Sequence, residues 1–199
     1  MTTIALEPGT LIVLEGLDKT GKSTQSQALQ HVLDPSTTRH IHMPSGLSVF
    51  TDEAYSMLES PLRAPASGVA KQLAHLACHA ESVPHIQELL TSRAVILDRW
   101  WWSTLAYGWY SGDFPAAGVT EHAFRNLIDS IWTPLTASVV FLFDKPYEED
   151  ANNSNPILTG YQEIADANPE LAVRVPQGDP GTVTELIIAE LRKRDLLAS

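Results

Sequence analysis

Gly16-Leu17-Asp18-Lys19-Thr20-Gly21-Lys22-Ser23 has the form G-x-x-x-x-G-K-[ST], and its two flanks decide what that form means. Before it runs Leu11-Ile12-Val13-Leu14, apolar throughout, as in a strand buried on both faces. After it Ala28, Leu29, Val32 and Leu33 recur on one helical face until Asp34-Pro35 ends the pattern. A strand, a glycine loop and a helix in that order form a phosphate cradle. The glycines let successive main-chain N–H groups curl around an anion, and the helix start adds the positive end of its dipole. Over residues 16–24, Gly16, Thr20, Gly21, Lys22, Ser23 and Thr24 are therefore the expected polyphosphate ligands. Lys22 supplies a point charge to the β and γ phosphates, and the Ser23 hydroxyl is placed to hold Mg²⁺.

Further along, Ala94-Val95-Ile96-Leu97 and Ser138 to Phe143 repeat the all-apolar strand pattern. Helical spacing joins Val69, Leu73, Leu76, Val83 and Ile86 over 69–90, with Pro84 as a kink or a break. A last helix is expected over Val183 to Arg194, behind the turn Gly178-Asp179-Pro180-Gly181. Strands separated by helical crossovers predict a doubly wound α/β parallel sheet, covered by helices on both faces, in one domain over 1–199. Lys145 to Gly160 is polar and turn-rich and reads as a mobile, lid-like loop.

Composition removes several classes. The chain has 199 residues, 44% hydrophobic and 19% charged, which fits a globular domain rather than a disordered one. Its net charge of −11 opposes broad adhesion to duplex DNA or an anionic membrane, while leaving room for a local basic groove. One cysteine, Cys78, forms no intrachain disulfide, and no apolar run is long enough to span a bilayer. The N-terminal stretch carries no signal-peptide pattern, so the expected compartment is the cytoplasm.

Asp98-Arg99-Trp100 follows the 94–97 strand, which sets a carboxylate and a guanidinium at the sheet edge where α/β folds bind ligands. Arg99 is placed to grip a phosphate bidentately; Asp98 is placed to hold the hydration shell of a metal or to orient Arg99.

Leu14 to Ser26, together with Asp98-Arg99-Trp100, Ser103 and Ala106-Tyr107, resembles the thymidylate kinase family, and Tyr161 to Pro169 with Leu171 to Val175 is similar to its C-terminal portion. The resemblance implies a P-loop NTPase-type fold with a short lid. It implies an ATP- and Mg²⁺-dependent phosphotransferase acting on a pyrimidine deoxynucleoside monophosphate, and a homodimer facing through helices near 69–90 and 101–130. By the same resemblance Asp18 meets the deoxyribose hydroxyl and Lys19 reaches the transferring phosphoryl group. Arg99 holds the acceptor phosphate, Tyr107 packs by the sugar, and Met43-Pro44 matches the segment after the second strand. Two alternatives stand beside this: a kinase for a modified pyrimidine such as a 5-hydroxymethyl one, free or in DNA, and a nucleotide-binding module without turnover.

The chain departs from the family in three places. Gly46 stands where a second phosphate-gripping arginine is expected. His75 and His79 replace an aromatic and an arginine at the base, where they line the pocket or pack in the core. The lid has no Lys or Arg between Lys145 and Arg174 and is acidic at Glu148, Glu149 and Asp150. His75 and His79 share a helical face, which also suits a metal pair, although the glutamate that follows the first histidine in metalloproteases is missing. The run Trp100-Trp101-Trp102 with Trp109 and Tyr110 reads as core and interface more than as a base platform. His31, His40, His42, His85 and His122 show no constellation, and Arg192-Lys193-Arg194 complements the end of the last helix.

Overall fold

In the computed structural model, which describes residues 3–198, five strands pair in parallel. They are β1 (Leu11–Gly16), β2 (Thr38–His42), β3 (Ala94–Asp98), β4 (Val139–Phe143) and β5 (Ala172–Arg174), in the order β2-β3-β1-β4-β5. Every residue of β1, β3 and β4 is buried, because their uniformly apolar side chains face helices on both sides. The edge strands β2 and β5 are partly exposed and correspondingly more polar.

Helices α1 (Lys22–Val32) and α8 (Pro180–Lys193) cover one face. There Leu29, Ile187 and Leu191 pack on Ile12, Leu14, Ile96 and Phe141. The other face carries α3 (Gly68–Leu90), α4 (Trp101–Leu105), α6 (Glu121–Trp132) and α7 (Asn155–Asp166). Leu76, Trp102, Phe124 and Tyr161 pack there on Leu11, Val13, Val95 and Leu97. Alternate residues of each central strand thus feed two separate cores, as a period of two requires. Helices α2 (Val49–Leu58) and α5 (Asp113–Ala116) complete the set.

Several boundaries differ from the sequence expectation. Pro84 lies inside one continuous α3, so the alternative of two separate helices does not occur. Helix α8 starts earlier than Val183, because the Asp179 side chain accepts from the Thr182 N–H (3.0 Å) and Pro180 is tolerated in a first turn. Helix α7 begins at Asn155, inside the stretch expected as loop. Pro156 suits its first turn, and Ile157, Tyr161 and Ile164 recur at helical spacing and are buried. The irregular segment is therefore 145–154. Helix α4 runs directly into a π-helical turn, Ala106–Tyr110, which carries Tyr107. No helix among the described residues is long and apolar enough to cross a membrane.

Candidate functional site

Sheet order decides the site. Because β1 lies between β3 and β4, the C-terminal ends of β2, β3 and β1 stand side by side, with His42 opposite Asp98 and Asp98 opposite Leu14 in register. The loop from Gly16 to Gly21 leaves β1 at that edge and enters α1.

Gly16 has φ +128, and a Cβ there would lie 2.0 Å from the carbonyl oxygen of Phe143. Only glycine lets the loop leave the sheet so close to β4. Gly21 (φ +93) turns the chain into α1. Lys19 and Arg99 also hold positive φ, 59° and 77°. Non-glycine residues adopt this region at some strain, and such strain gathers where side chains must be aimed.

A cavity of about 490 Å³ opens at this edge, and every candidate residue except Gly16 lines it. Residues from the loop, from β3 and from α3 therefore meet at one place. Gly16 contributes its carbonyl, which accepts from Lys22 Nζ (3.0 Å) and Arg99 (3.4 Å). Lys22 Nζ also donates to the Leu17 carbonyl. Burial, with Arg99 nearby, lowers the Lys22 pKa to about 8, partly offset by Asp98, Asp18 and Glu15.

Arg99 forms an ion pair with Asp18, donates to Ser103 Oγ (3.1 Å), and stands 5.5 Å above the Tyr107 ring. Asp98 Oδ2 bonds to His42 Nδ1 at 3.0 Å, while its Oδ1 is buried without a partner. Burial alone would raise the Asp98 pKa; the His42 hydrogen bond and the charges of His42, Lys22 and Arg99 outweigh it and hold the carboxyl below its usual range.

His75 and His79 both line the cavity. Burial is the main reason their pKa values drop to about 4 and about 3, with Lys71 and Arg99 acting on His75, and His75 acting on His79. Both are neutral near pH 7. His79 lies 3.3 Å from Thr104 Oγ1, and its ring centroid is 5.2 Å from that of Trp132. Of the indole cluster, Trp102 belongs to the core and Trp100 reaches both core and cavity.

Four residues escaped the sequence reading. His42, expected to join no constellation, links Asp98 to the Tyr55 hydroxyl (3.2 Å from Nε2); this correction needed the register of β2 on β3. Glu15 is fully buried, and its carboxylate accepts from the N–H groups of Trp100 (2.7 Å) and Ser103 (3.0 Å) and from Ser103 Oγ (2.6 Å). Burial raises its pKa against those hydrogen bonds and Arg99. Lys71 lines the cavity one turn before His75, a spacing that could have revealed it. Tyr55 is the fourth.

A second cavity, about 360 Å³, lies on the other side of the loop. Phe143, Pro176, Pro180, Val183 and Tyr147 give it apolar walls. Lys19, Thr20, Gly21 and Thr24 line both cavities, so the loop is the partition between them. The second cavity adjoins the start of α1, which no side chain caps, an arrangement that suits a base with its phosphates on the loop.

The family model for thymidylate kinase matches residues 14–152. The thymidylate kinase of Chlorobium phaeobacteroides is 39% identical over 146 residues, which cover 71% of this chain and 63% of that protein. That of Chlorobium luteolum is 33% identical over 143 residues, 70% of this chain and 64% of that protein. The chain thus spans less than two thirds of these two relatives. A probable thymidylate kinase of Thermococcus kodakarensis is 28% identical over 89% of this chain and 95% of its own length. Among solved structures, the thymidylate kinase of Ehrlichia chaffeensis superposes with a TM-score of 0.76 at 22% identity, covering 94% of this chain and 100% of that one. The Candida albicans enzyme gives 0.68 at 23% identity, with 100% and 97% covered. Both bear out the fold.

Proposed function

The chain belongs to the thymidylate kinase family, and on that premise we propose that it transfers the γ-phosphoryl group of ATP to a pyrimidine deoxynucleoside monophosphate, dTMP or a close analogue. The observation that carries this reading is the loop shared by two cavities. One holds a donor base; the other, with Arg99, Asp18, Tyr107 and the histidines, holds an acceptor nucleotide.

The chemistry asks for positioning and charge more than for a nucleophilic side chain. An oxygen of the acceptor phosphate, already ionised, forms the new bond to γ-phosphorus as the bond to the bridging oxygen of ADP breaks. Lys22 leaves the carbonyls of Gly16 and Leu17 to meet the phosphates, and the loop N–H groups hold them. Arg99, anchored by Asp18 and Ser103, faces the acceptor phosphate. Lys19 is exposed on the partition itself, so its charge can replace arginines that the lid lacks.

Mg²⁺ fits the residues present. The unpartnered buried Oδ1 of Asp98 and the hydroxyl of Ser23 both lie at the cavity, and this ion takes most of its ligands from phosphates and water. When bound it neutralises the phosphate oxygens and orients them. Neutral His75 and His79 offer hydrogen bonds to a base edge without adding charge.

The same reading places the protein in the cytoplasm as a homodimer. Buried, unpaired Cys78 is compatible with a reducing compartment. Leu73 on α3 and Leu127 on α6 are large apolar side chains left 45% and 40% exposed on the expected faces.

Phosphate transfer to dTMP, dUMP, dCMP, dGMP and a 5-hydroxymethyl pyrimidine deoxynucleotide, measured with wild type, Lys22→Ala and Arg99→Ala, tests the proposal. Wild type is expected to prefer a thymine- or uracil-like acceptor. Lys22→Ala should lose turnover about a thousandfold, and Arg99→Ala should chiefly raise the acceptor KM. No transfer by wild type to any monophosphate would overturn the reading.

A further inference from the structure

The segment 145–154 carries no arginine, yet it is bonded to the phosphate loop at a specific place. The Asn153 carboxamide accepts from the Asp18 N–H (2.9 Å) and donates to the Asp18 carbonyl (2.8 Å), so one side chain satisfies both main-chain groups of one residue. Next to it, the Tyr147 N–H donates to the Lys19 carbonyl at 2.8 Å. Asp150 shapes the approach: its carboxylate accepts from the Asn152 N–H (2.8 Å), and its carbonyl from the Asn153 N–H (3.0 Å).

Two consequences follow from this clip. Asp18 is held while its carboxylate pairs with Arg99. Asn152, fixed between Asp150 and Asn153, brings its carboxamide to 3.5 Å from the free Asp18 oxygen, and it is the only residue of 145–154 that lines the larger cavity. Tyr147 and Glu148 line the smaller cavity.

The geometry points to Asn153 as a positioning residue and Asn152 as an acceptor-binding residue. The clip aims Asn152 at the sugar-phosphate of the acceptor and keeps Asp18 in register with Arg99. Through Asn152 and Asn153 the lid of this chain acts on the acceptor by shape and hydrogen bonding, and it carries no arginine with which to act on the donor phosphates. A carboxamide offers one donor and one acceptor face, which suits a sugar hydroxyl or a phosphate oxygen equally. The inference rests on the phosphotransferase reading for its ligand, but the clip stands on its own contacts.

The test has two readouts. In ligand-free protein, amide exchange at Asp18 is compared between wild type and Asn153→Ala. Exchange is expected to quicken about tenfold, as loss of one hydrogen bond implies; unchanged exchange would overturn the clip. In steady-state assays, Asn153→Ala and Asn152→Ala are each expected to raise the KM for dTMP about fivefold or more, with the KM for ATP within about twofold and the thermal midpoint held. Asn153→Asp, which accepts but cannot donate to the Asp18 carbonyl, should raise the KM for dTMP at least as much as Asn153→Ala. An equal rise in both KM values, or an unmoved KM for dTMP, would overturn the acceptor role. Wild-type protein that transfers no phosphate would fail the phosphotransferase reading and this acceptor role together, while the exchange experiment would still decide the clip.

Discussion

Glu15 and Ser103, 88 residues apart in sequence, are joined twice: the Ser103 N–H donates to Oε1 at 3.0 Å and its hydroxyl to Oε2 at 2.6 Å. Ser103 Oγ also accepts from Arg99 and lies 2.8 Å from the Tyr161 hydroxyl, so a buried carboxylate ties β1, α4 and α7 together beneath the arginine. Removing the carboxylate leaves buried donors unpaired and takes a counter-charge from Arg99. Glu15→Ala should lose about 3–5 kcal/mol of stability by chemical denaturation, and Glu15→Gln, which keeps an acceptor for the two N–H groups, clearly less. Equal losses would remove the charge from the explanation.

A methyl group at Gly16 would collide with β4 backbone, not with a flexible side chain. Gly16→Ala should therefore cost about 3 kcal/mol or more, whereas Gly46→Ala, with open space around it, should cost about 1 kcal/mol through its positive φ. Thermal midpoints of the two variants compare them directly.

His79 stays neutral in the folded protein down to about pH 3, against an ordinary value of 6.5. Below about 6.5 the unfolded chain binds a proton that the folded protein refuses, so stability present above that pH is lost as the pH falls toward 3. One such group gives a slope of ~1.4 kcal/mol per pH unit. Urea unfolding at pH 7, 6 and 5 should show wild type falling more steeply than His79→Gln. Parallel curves would contradict a neutral buried imidazole.

Lys22 is an ammonium below about pH 8 and an amine above it. Since kcat/KM reports groups of the free enzyme, its value for ATP should fall as the pH rises through about 8. Lys22→Arg, weaker overall, should lack that limb. A limb at the same pH in Lys22→Arg would assign it to another group.

The cradle, the Asp98-Arg99 edge and the helical face of His75 and His79 were legible because each is a local pattern: a glycine spacing, a strand end, a four-residue step. The same four-residue step leads back from His75 to Lys71. Glu15, His42 and Tyr55 were not, since their partners come through strand register or through helices far away in sequence. The smaller cavity was hidden for a similar reason. Its walls gather Phe143, Tyr147 and Val183 from three separate elements, and only the folded sheet brings them to the loop. The start of α7 was obscured by Asn153-Ser154-Asn155-Pro156, residues that favour turns yet also open helices.

Trp100 lines the larger cavity with its ring centroid 5.4 Å from that of Trp101 and 6.2 Å from that of Trp132, which in turn touches His79. An indole's emission shifts colour and intensity with the polarity at its face, and neighbouring indoles pass excitation among themselves. The unlabelled chain therefore carries its own optical gauge, with which the filling of one chamber can be followed in real time while the other is left empty.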